Sequence, residues 1–381
     1  MRRLLAPALV AALLQGCATL PPAAIAPASS PAGEAAPAPA LFDQARLDAS
    51  LSEAAEGKVT GTVLVAQGNR ILAVRTFADP AQGFRPSKDT VYDLASVGKT
   101  FTAVLALKLA ETGRFDLDAP LRKHLPELPE EMSDITARNA LAHDTGLPRY
   151  LEGDDLVRRT SAQALAEIAA MKRERRAGSG YYYSNVGPQL VALALERAGG
   201  DTYEALVRRL IFTPLGMTSA SFHGDPRLAA VEAPAFAEGK RQGSPAEWPS
   251  TWTMLGSAGI AASAEDMWRF KQGVFTGAFL TPASRQALLA RGVTTKGRGS
   301  FLTPDTLEIH YGAGLFHFLD RQGRTIHFHG GSSDFGSSTA MLWRQEDDVF
   351  VVALFNSTTA AYDRGRFISA VLAALEPAAG A

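Results

Sequence analysis

Segments with strand character stand at both ends of this chain, and helical periodicity fills its middle. Thr60 to Ala66 and Ile71 to Phe77 are rich in Val, Leu and Thr, with the turn signal Gly68-Asn69 between them, and predict a hairpin. Thr325 to His329, Ser337 to Trp343 and Val349 to Phe355 are again β-rich, and Arg344 to Asp348 reads as a charged turn. Between these ends the apolar spacing predicts helices over roughly 161–173, 186–198 and 202–211, and a closing helix over Arg366 to Leu375. Residues 81–92 read as a polar loop. Thr136 to Leu141 looks helical and is broken by Gly146-Leu147-Pro148; Ser263-Ala264-Glu265-Asp266 resembles a capping box. The pattern implies an α+β fold: an antiparallel sheet built from both chain ends with flanking helices, plus a mostly helical second lobe. A ligand site is expected in the cleft between the lobes.

One further helix carries chemistry. Val97, Phe101, Val104, Leu105 and Leu109 recur at helical spacing, and Gly113 is a plausible stop. Ser96 and Lys99 stand at its start, three residues apart and so on one face, with the serine at the positive end of the helix dipole. A serine hydroxyl is a weak nucleophile until a nearby base takes its proton, and a desolvated lysine can do so. Read alone, the pair also fits an N-cap serine and a solvated lysine. It is the only Ser-x-x-Lys in the chain, on a helix apolar enough to be buried.

The first forty residues address the chain to a compartment. Arg2-Arg3 precedes an apolar run from Leu4 to Leu14, too short to span a bilayer, which fits a secretory signal peptide. It ends in Leu14-Gln15-Gly16-Cys17, which resembles the bacterial lipobox. That implies a signal segment over 1–17 and a lipid-anchored Cys17 as the first mature residue. Cys17 is the only cysteine, so an intrachain disulfide is excluded. Ala18 in place of aspartate resembles lipoproteins sent to the outer membrane, facing the periplasm. Residues 18–40 are dominated by Ala and Pro and read as a flexible tether, so the globular domain is expected over 41–376.

A formal net charge of -1 excludes an electrostatic nucleic-acid footprint. The one basic run, Lys172 to Arg176, reads as a solvated helix end or loop beside Gly178 and Gly180. Tyr183-Ser184-Asn185 precedes an apolar helix; its tyrosine and asparagine can point the same way, although a cap and a packed aromatic explain the tripeptide equally well. In His327-Phe328-His329-Gly330-Gly331 the two histidines share one strand face. No further ligand stands at metal spacing, so neither a metal nor any other cofactor is expected. Gly330-Gly331 permits close backbone approach to a ligand, and amides there can serve an oxyanion.

Taken together, Ser96-Val97-Gly98-Lys99, Tyr183-Ser184-Asn185 and His329-Gly330-Gly331 resemble, in order and spacing, the three motifs of the serine β-lactamase and penicillin-binding-protein family. The closest branch holds class C β-lactamases, family VIII esterases and D-amino-acid peptidases. The similarity extends to Asp116 to Leu128, Leu141 to Pro148, Pro214 to Thr218, Ala258 to Phe270 and Tyr311 to Gly314, and covers about residues 42–375.

That resemblance implies a serine hydrolase. Ser96 would be the acylated nucleophile, Lys99 its activator, and Tyr183 a partner in proton traffic. Asn185 would hydrogen-bond the substrate, and the oxyanion would be held by the Ser96 amide and one near Gly331 and Ser332. A cationic Lys99 beside Tyr183 is expected to lower the phenol's pKa toward phenolate. The third motif departs from the family pattern: β-lactamases carry lysine where this chain places His329 or, on an alternative alignment, Phe328. Without a permanent cation there, weak β-lactamase activity and an esterase-like or peptidase-like preference are expected, on small esters, amides or β-lactams. Asp334 also disfavours anionic substrates nearby. A penicillin-binding protein that does not turn over, or a non-catalytic peptidoglycan binder on the same fold, is the alternative. The sequence leaves the oligomeric state open.

Overall fold

The computed structural model describes residues 43–55, 59–295, 308–357 and 363–376. The signal segment, Cys17 and the tether lie outside the described residues, as do residues 296–307.

Thirteen strands are described. β1 (Gly61–Gln67) and β2 (Arg70–Phe77) form the expected hairpin, with Gly68 at positive φ in its turn. β3 (Val91–Asp93), β4 (Ser221–Phe222), β5 (Ala235–Ala237), β6 (Lys240–Gly243) and β7 (Ile260–Ser263) are short. β8 (Val293–Thr295), β9 (Ile309–Gly312), β10 (Leu315–Leu319), β11 (Thr325–Ser332), β12 (Ser338–Arg344) and β13 (Val349–Phe355) complete the set. The main sheet runs β2-β1-β13-β12-β11-β10-β9-β8, antiparallel throughout, so β1 from the start of the domain pairs with β13 from its end. A second sheet runs β3-β7-β4.

Both faces of the main sheet are covered, and strand alternation sorts the side chains between two cores. Val63, Val65, Phe328, Leu342, Val351 and Ala353 face α1 (Gln44–Ala54) and the closing helix, whose Phe367, Ile368 and Val371 lie in the same cluster. Asp43 caps α1 by accepting from the amides of Ala45 and Arg46. Leu64, Ala66, Met341, Trp343, Val352 and Leu354 point the other way, into the helical lobe.

That lobe is centred on α2 (Gly98–Glu111), which is buried from Gly98 to Leu109 except at Lys108. Phe101 packs against Phe212 and Phe270. Around it lie α3 (Ala137–Leu141), α4 (Ser161–Ala170), α5 (Val186–Gly199), α6 (Tyr203–Val207), α7 (Ala264–Lys271) and α8 (Pro282–Leu288); α9 (Asp363–Ala374) is the closing helix of the sheet side. The observed architecture is the expected one.

Four local readings are corrected. The polar loop of residues 81–92 ends in β3, because Val91 and Asp93 find ladder partners in Ser263 and Ala261. The helix expected over 161–173 stops at Ala170. The chain then turns extended at Met171 and carries Arg173 and Arg176 to ion pairs with Asp134. The helix expected over 202–211 narrows to α6 and continues as one turn of π-helix to Phe212. Ser263 caps α7 by accepting from the Asp266 amide; the side-chain return that completes a capping box is carried to Ser219 instead, whose amide donates to Asp266.

Candidate active site

Ser96 is delivered by a tight connection from the small sheet to α2. β3 ends at Asp93, and the Leu94 amide donates to Ile260 O at 2.8 Å. Ala95 then adopts φ +44°, a left-handed conformation that costs an L-residue energy, and a single 3₁₀ turn over Ala95–Val97 leads into α2. Ser96 therefore precedes the helix instead of capping it: Val97 holds the cap position without a side-chain bond.

The Ser96 hydroxyl is bracketed by two partners. Lys99 Nζ lies 2.9 Å from Ser96 Oγ, and the Tyr183 hydroxyl donates to the same oxygen at 3.0 Å. Lys99 is 0% exposed, which rules out a solvated lysine, and its Nζ also donates to Ser257 O at 3.0 Å. Ser184 and Asn185 divide the remaining tasks. Ser184 Oγ accepts from the Gly187 amide at the start of α5 and donates to Pro148 O at 2.6 Å. Asn185 lines the cleft, with its Oδ1 buried and lacking a protein partner.

β11 closes the other side. His329 lines the cleft, whereas Phe328 points into the core beneath the terminal helices, so strand alternation places the histidine at the third motif. His329 Nδ1 lies 2.8 Å from Gly330 O and so carries the proton; Nε2 then accepts from the Tyr311 hydroxyl at 2.8 Å. Gly331 allows β11 to touch the nucleophile turn. A Cβ there would lie 2.5 Å from Leu94 O and 2.9 Å from the Ser96 amide nitrogen. Ser332 follows, its hydroxyl accepting from Arg364 at 2.8 Å. Gly331 thus lies against the Ser96 amide, and Ser96 and Ser332 both line the cleft. Gly314 plays a similar part behind α2: at φ +72° a Cβ would meet Lys99 O at 2.8 Å.

Burial decides the electrostatics. It lowers the Lys99 pKa well below the ordinary lysine value, helped by the Arg149 charge and opposed by Asp155. Burial also pushes Tyr183 up to about 12, against the lowering effects of its Ser96 bond and of Arg149. The expectation of a phenolate is therefore reversed. Loss of water disfavours the charged form of both groups, so it lowers the lysine and raises the phenol. Burial and the neighbouring Lys99 lower His329 to about 3, so the third-motif side chain itself is neutral at neutral pH; the guanidinium beside it is that of Arg364, which donates to Gly331 O and Ser332 Oγ.

The cleft beside Ser96 encloses about 630 Å³ and is open to solvent. Arg149 supplies its lining cation; its guanidinium lies 5.5 Å from the Tyr183 ring centroid. Asp154, Asp155 and Asp334 supply three carboxylates. The Asp155 carboxyl is raised by burial and then by Asp334 and Asp154. The structure thus brings Ser96, Lys99, Tyr183, Asn185, His329, Gly331 and Ser332 to one cleft; Cys17 lies outside the described residues. Sequence reading did not single out His143, Arg149 or Tyr311. His143 and Arg149 flank the Gly146-Leu147-Pro148 break, and the His143 ring lies 4.2 Å from Tyr183 and 4.5 Å from Tyr311.

Known proteins resemble this chain in sequence and in fold. The chain is 28% identical to the D-alanyl-D-alanine-carboxypeptidase/endopeptidase AmpH of Escherichia coli (strain K12), over 77% of this chain and 79% of AmpH. It is 29% identical to Esterase EstB of Burkholderia gladioli, over 67% of this chain and 77% of EstB. Its fold is similar to that of a β-lactamase/D-alanine carboxypeptidase from Yersinia pestis solved with citrate: TM-score 0.72, 22% identity, 89% of this chain and 99% of that one. The family model described as Beta-lactamase matches residues 47–375, most of the chain, and the protein belongs to the beta-lactamase family.

Proposed function

We propose that this protein is a serine hydrolase that forms an acyl-enzyme on Ser96 and turns over small esters or amides, with weak activity on β-lactams. One observation carries the reading: Ser96 Oγ sits at the mouth of an open cleft, 2.9 Å from a desolvated lysine amine and 3.0 Å from a phenol. Lys99, its proton affinity lowered by burial, takes the Ser96 proton as Oγ attacks the carbonyl carbon. The Ser96 and Ser332 amides receive the oxyanion. Tyr183 stays a phenol, donates its proton to the leaving group and recovers one from Lys99. Asn185 Oδ1 accepts from the substrate's amide N–H. Water then releases the acyl group, with Lys99 and Tyr183 again carrying the proton.

The preference against β-lactams follows from charge. A penicillin carboxylate needs a cation where this protein holds a neutral His329; among the lining residues Asp154, Asp155 and Asp334 outnumber Arg149, and Arg364 beside them is engaged by Gly331 O and Ser332 Oγ. The names of the relatives, an esterase and a carboxypeptidase/endopeptidase, fit the same range of leaving groups.

The test uses p-nitrophenyl acetate, p-nitrophenyl butyrate and a chromogenic cephalosporin, followed for burst and turnover, with Ser96→Ala as control. Ester turnover that disappears in Ser96→Ala, with little on the cephalosporin, is the expected outcome. Fast cephalosporin turnover would refute the charge argument, and a burst with no turnover would indicate a penicillin-binding protein. No reaction, and no labelling of Ser96 by a fluorophosphonate, would overturn the enzyme reading.

The N-terminal pattern supports a lipid anchor on Cys17 and a periplasm-facing site at the outer membrane. Mass spectrometry of the membrane fraction should find a diacylglycerol-modified Cys17 at the N-terminus; an unmodified or differently cleaved N-terminus would remove the anchor.

A further inference from the structure

The turn that presents Ser96 is left-handed at a residue with a side chain, and nothing in the catalytic group itself holds it there. Ala95 sits at φ +44°. Such a conformation persists in an L-residue only where its surroundings over-determine it. The bond that meets it comes from Asp93, whose Oδ1 accepts the Ala95 amide at 3.1 Å. The same oxygen lies 3.0 Å from His223 Nε2, and both side chains are 1% exposed.

The small sheet brings this pair together. Asp93 ends β3 and His223 follows β4, with β7 running between the two strands. The His223 amide donates to Gly259 O at 3.0 Å, and the Leu94 amide to Ile260 O at 2.8 Å, so the two segments share one strand as template. The Trp248 ring packs 5.1 Å from His223 and limits its movement. The pair is an expensive way to make a core. Asp93 Oδ2 and His223 Nδ1 are buried with no protein partner, and an apolar pair of similar volume would carry no such desolvation cost. What the pair alone supplies is a fixed acceptor under the Ala95 amide, one residue before the nucleophile.

We propose that the buried Asp93–His223 pair is a positioning device that holds Ala95 in its left-handed turn and so aims Ser96 Oγ between Lys99 and Tyr183. Asp93 grips the amide, and His223 fixes the carboxylate that grips it. Neither touches substrate. The proposal rests on Ser96 being the nucleophile and adds the residues that set its direction. A misaimed nucleophile loses rate and keeps binding, because the cleft residues that hold substrate lie on other segments.

The experiment is a cycle of variants in the full chain, read by ester turnover and by the rate of fluorophosphonate labelling of Ser96. His223→Leu should lower kcat by about 10²-fold with little change in KM, the size of effect that follows a small misplacement of a reacting atom. His223→Gln keeps an N–H donor toward Asp93 and should retain activity within about threefold, since the hydrogen bond and not the ring is what matters. The decisive arm is Ala95→Gly. Glycine adopts positive φ without strain, so in the His223→Leu background it should restore about tenfold of the lost kcat. Far-UV circular dichroism checks that each variant is folded. Full activity in folded His223→Leu, or a double variant no better than His223→Leu alone, overturns the positioning role. A wild type that neither turns over ester nor labels at Ser96 overturns the nucleophile assignment instead, and the positioning role with it.

Discussion

At the scale of single residues, the site works because burial moves two proton affinities apart. Lys99 is fully buried and feels the Arg149 charge, both of which disfavour an ammonium. Tyr183 is pushed the other way, to about 12. The base is therefore free of its proton at a pH where the phenol still holds its own. The sign of the pH dependence follows. Ester turnover should rise as Lys99 deprotonates, through a pKa well below that of free lysine, and then stay level until Tyr183 ionises near the alkaline limit. Arg149→Gln removes a positive neighbour, so the Lys99 pKa should rise and the acid limb of the kcat/KM profile should move to higher pH. A limb that stays in place would show that Arg149 does not act on Lys99. Tyr183→Phe keeps the ring and removes the proton donor. Turnover should fall by about 10²- to 10⁴-fold, the range for loss of a general acid–base group.

At the scale of elements, two junctions decide whether these residues meet. One is the approach of β11 to the Ser96 turn, which needs a residue without Cβ at position 331. Gly331→Ala would press against Leu94 O and the Ser96 amide, and β11 must then retreat. We expect turnover to drop by about 10²-fold while the protein remains folded, since the clash is local to the site. Unchanged kcat in a folded Gly331→Ala protein would contradict this contact. The other junction is the packing of α2. Phe101 is fully buried between Phe212 and Phe270, so Phe101→Ala opens a cavity at the centre of the helical lobe. A loss of about 3–5 kcal/mol in urea unfolding is expected.

At the scale of the whole molecule, one sheet separates the cleft from the core under α1 and α9. Adjacent residues of β11 serve opposite sides: His329 lines the cleft, and Phe328 fills the core under α1 and α9. Phe328→Ala should therefore cost about 3–5 kcal/mol of stability, as for other buried aromatics. The surviving folded fraction should keep its KM. His329→Ala should do the reverse, raising KM or lowering kcat with a smaller effect on unfolding. Equal effects of the two changes on both measurements would refute the division.

Much of this was legible in the chain because its causes are local. A three-residue spacing puts Ser96 and Lys99 on one helical face whatever surrounds them. The β-rich composition of 325–329, 337–343 and 349–355 marks strands because branched and aromatic side chains suit a pleated surface buried on one face or both. The hairpin and α2 announce themselves through turn residues and periodicity for the same reason. Other elements gave no such signal. β3 is three residues long, too short to show a period. β9 and β10 mix histidines, glycine and aromatics, so their pairing rests on neighbours in space. His143, Arg149, Tyr311 and the Asp93–His223 pair come from segments far apart in sequence, and no spacing encodes their meeting. The proton affinity of Tyr183 could not be read either. From sequence, a lysine nearby suggests a lowered value; in the fold, loss of water acts on both groups and reverses the direction. The sequence by itself determined the strands at the two ends of the domain, the main helices between them and the serine–lysine pair. Only the tertiary structure decided which groups share the low-dielectric cleft, and burial there sets their charge.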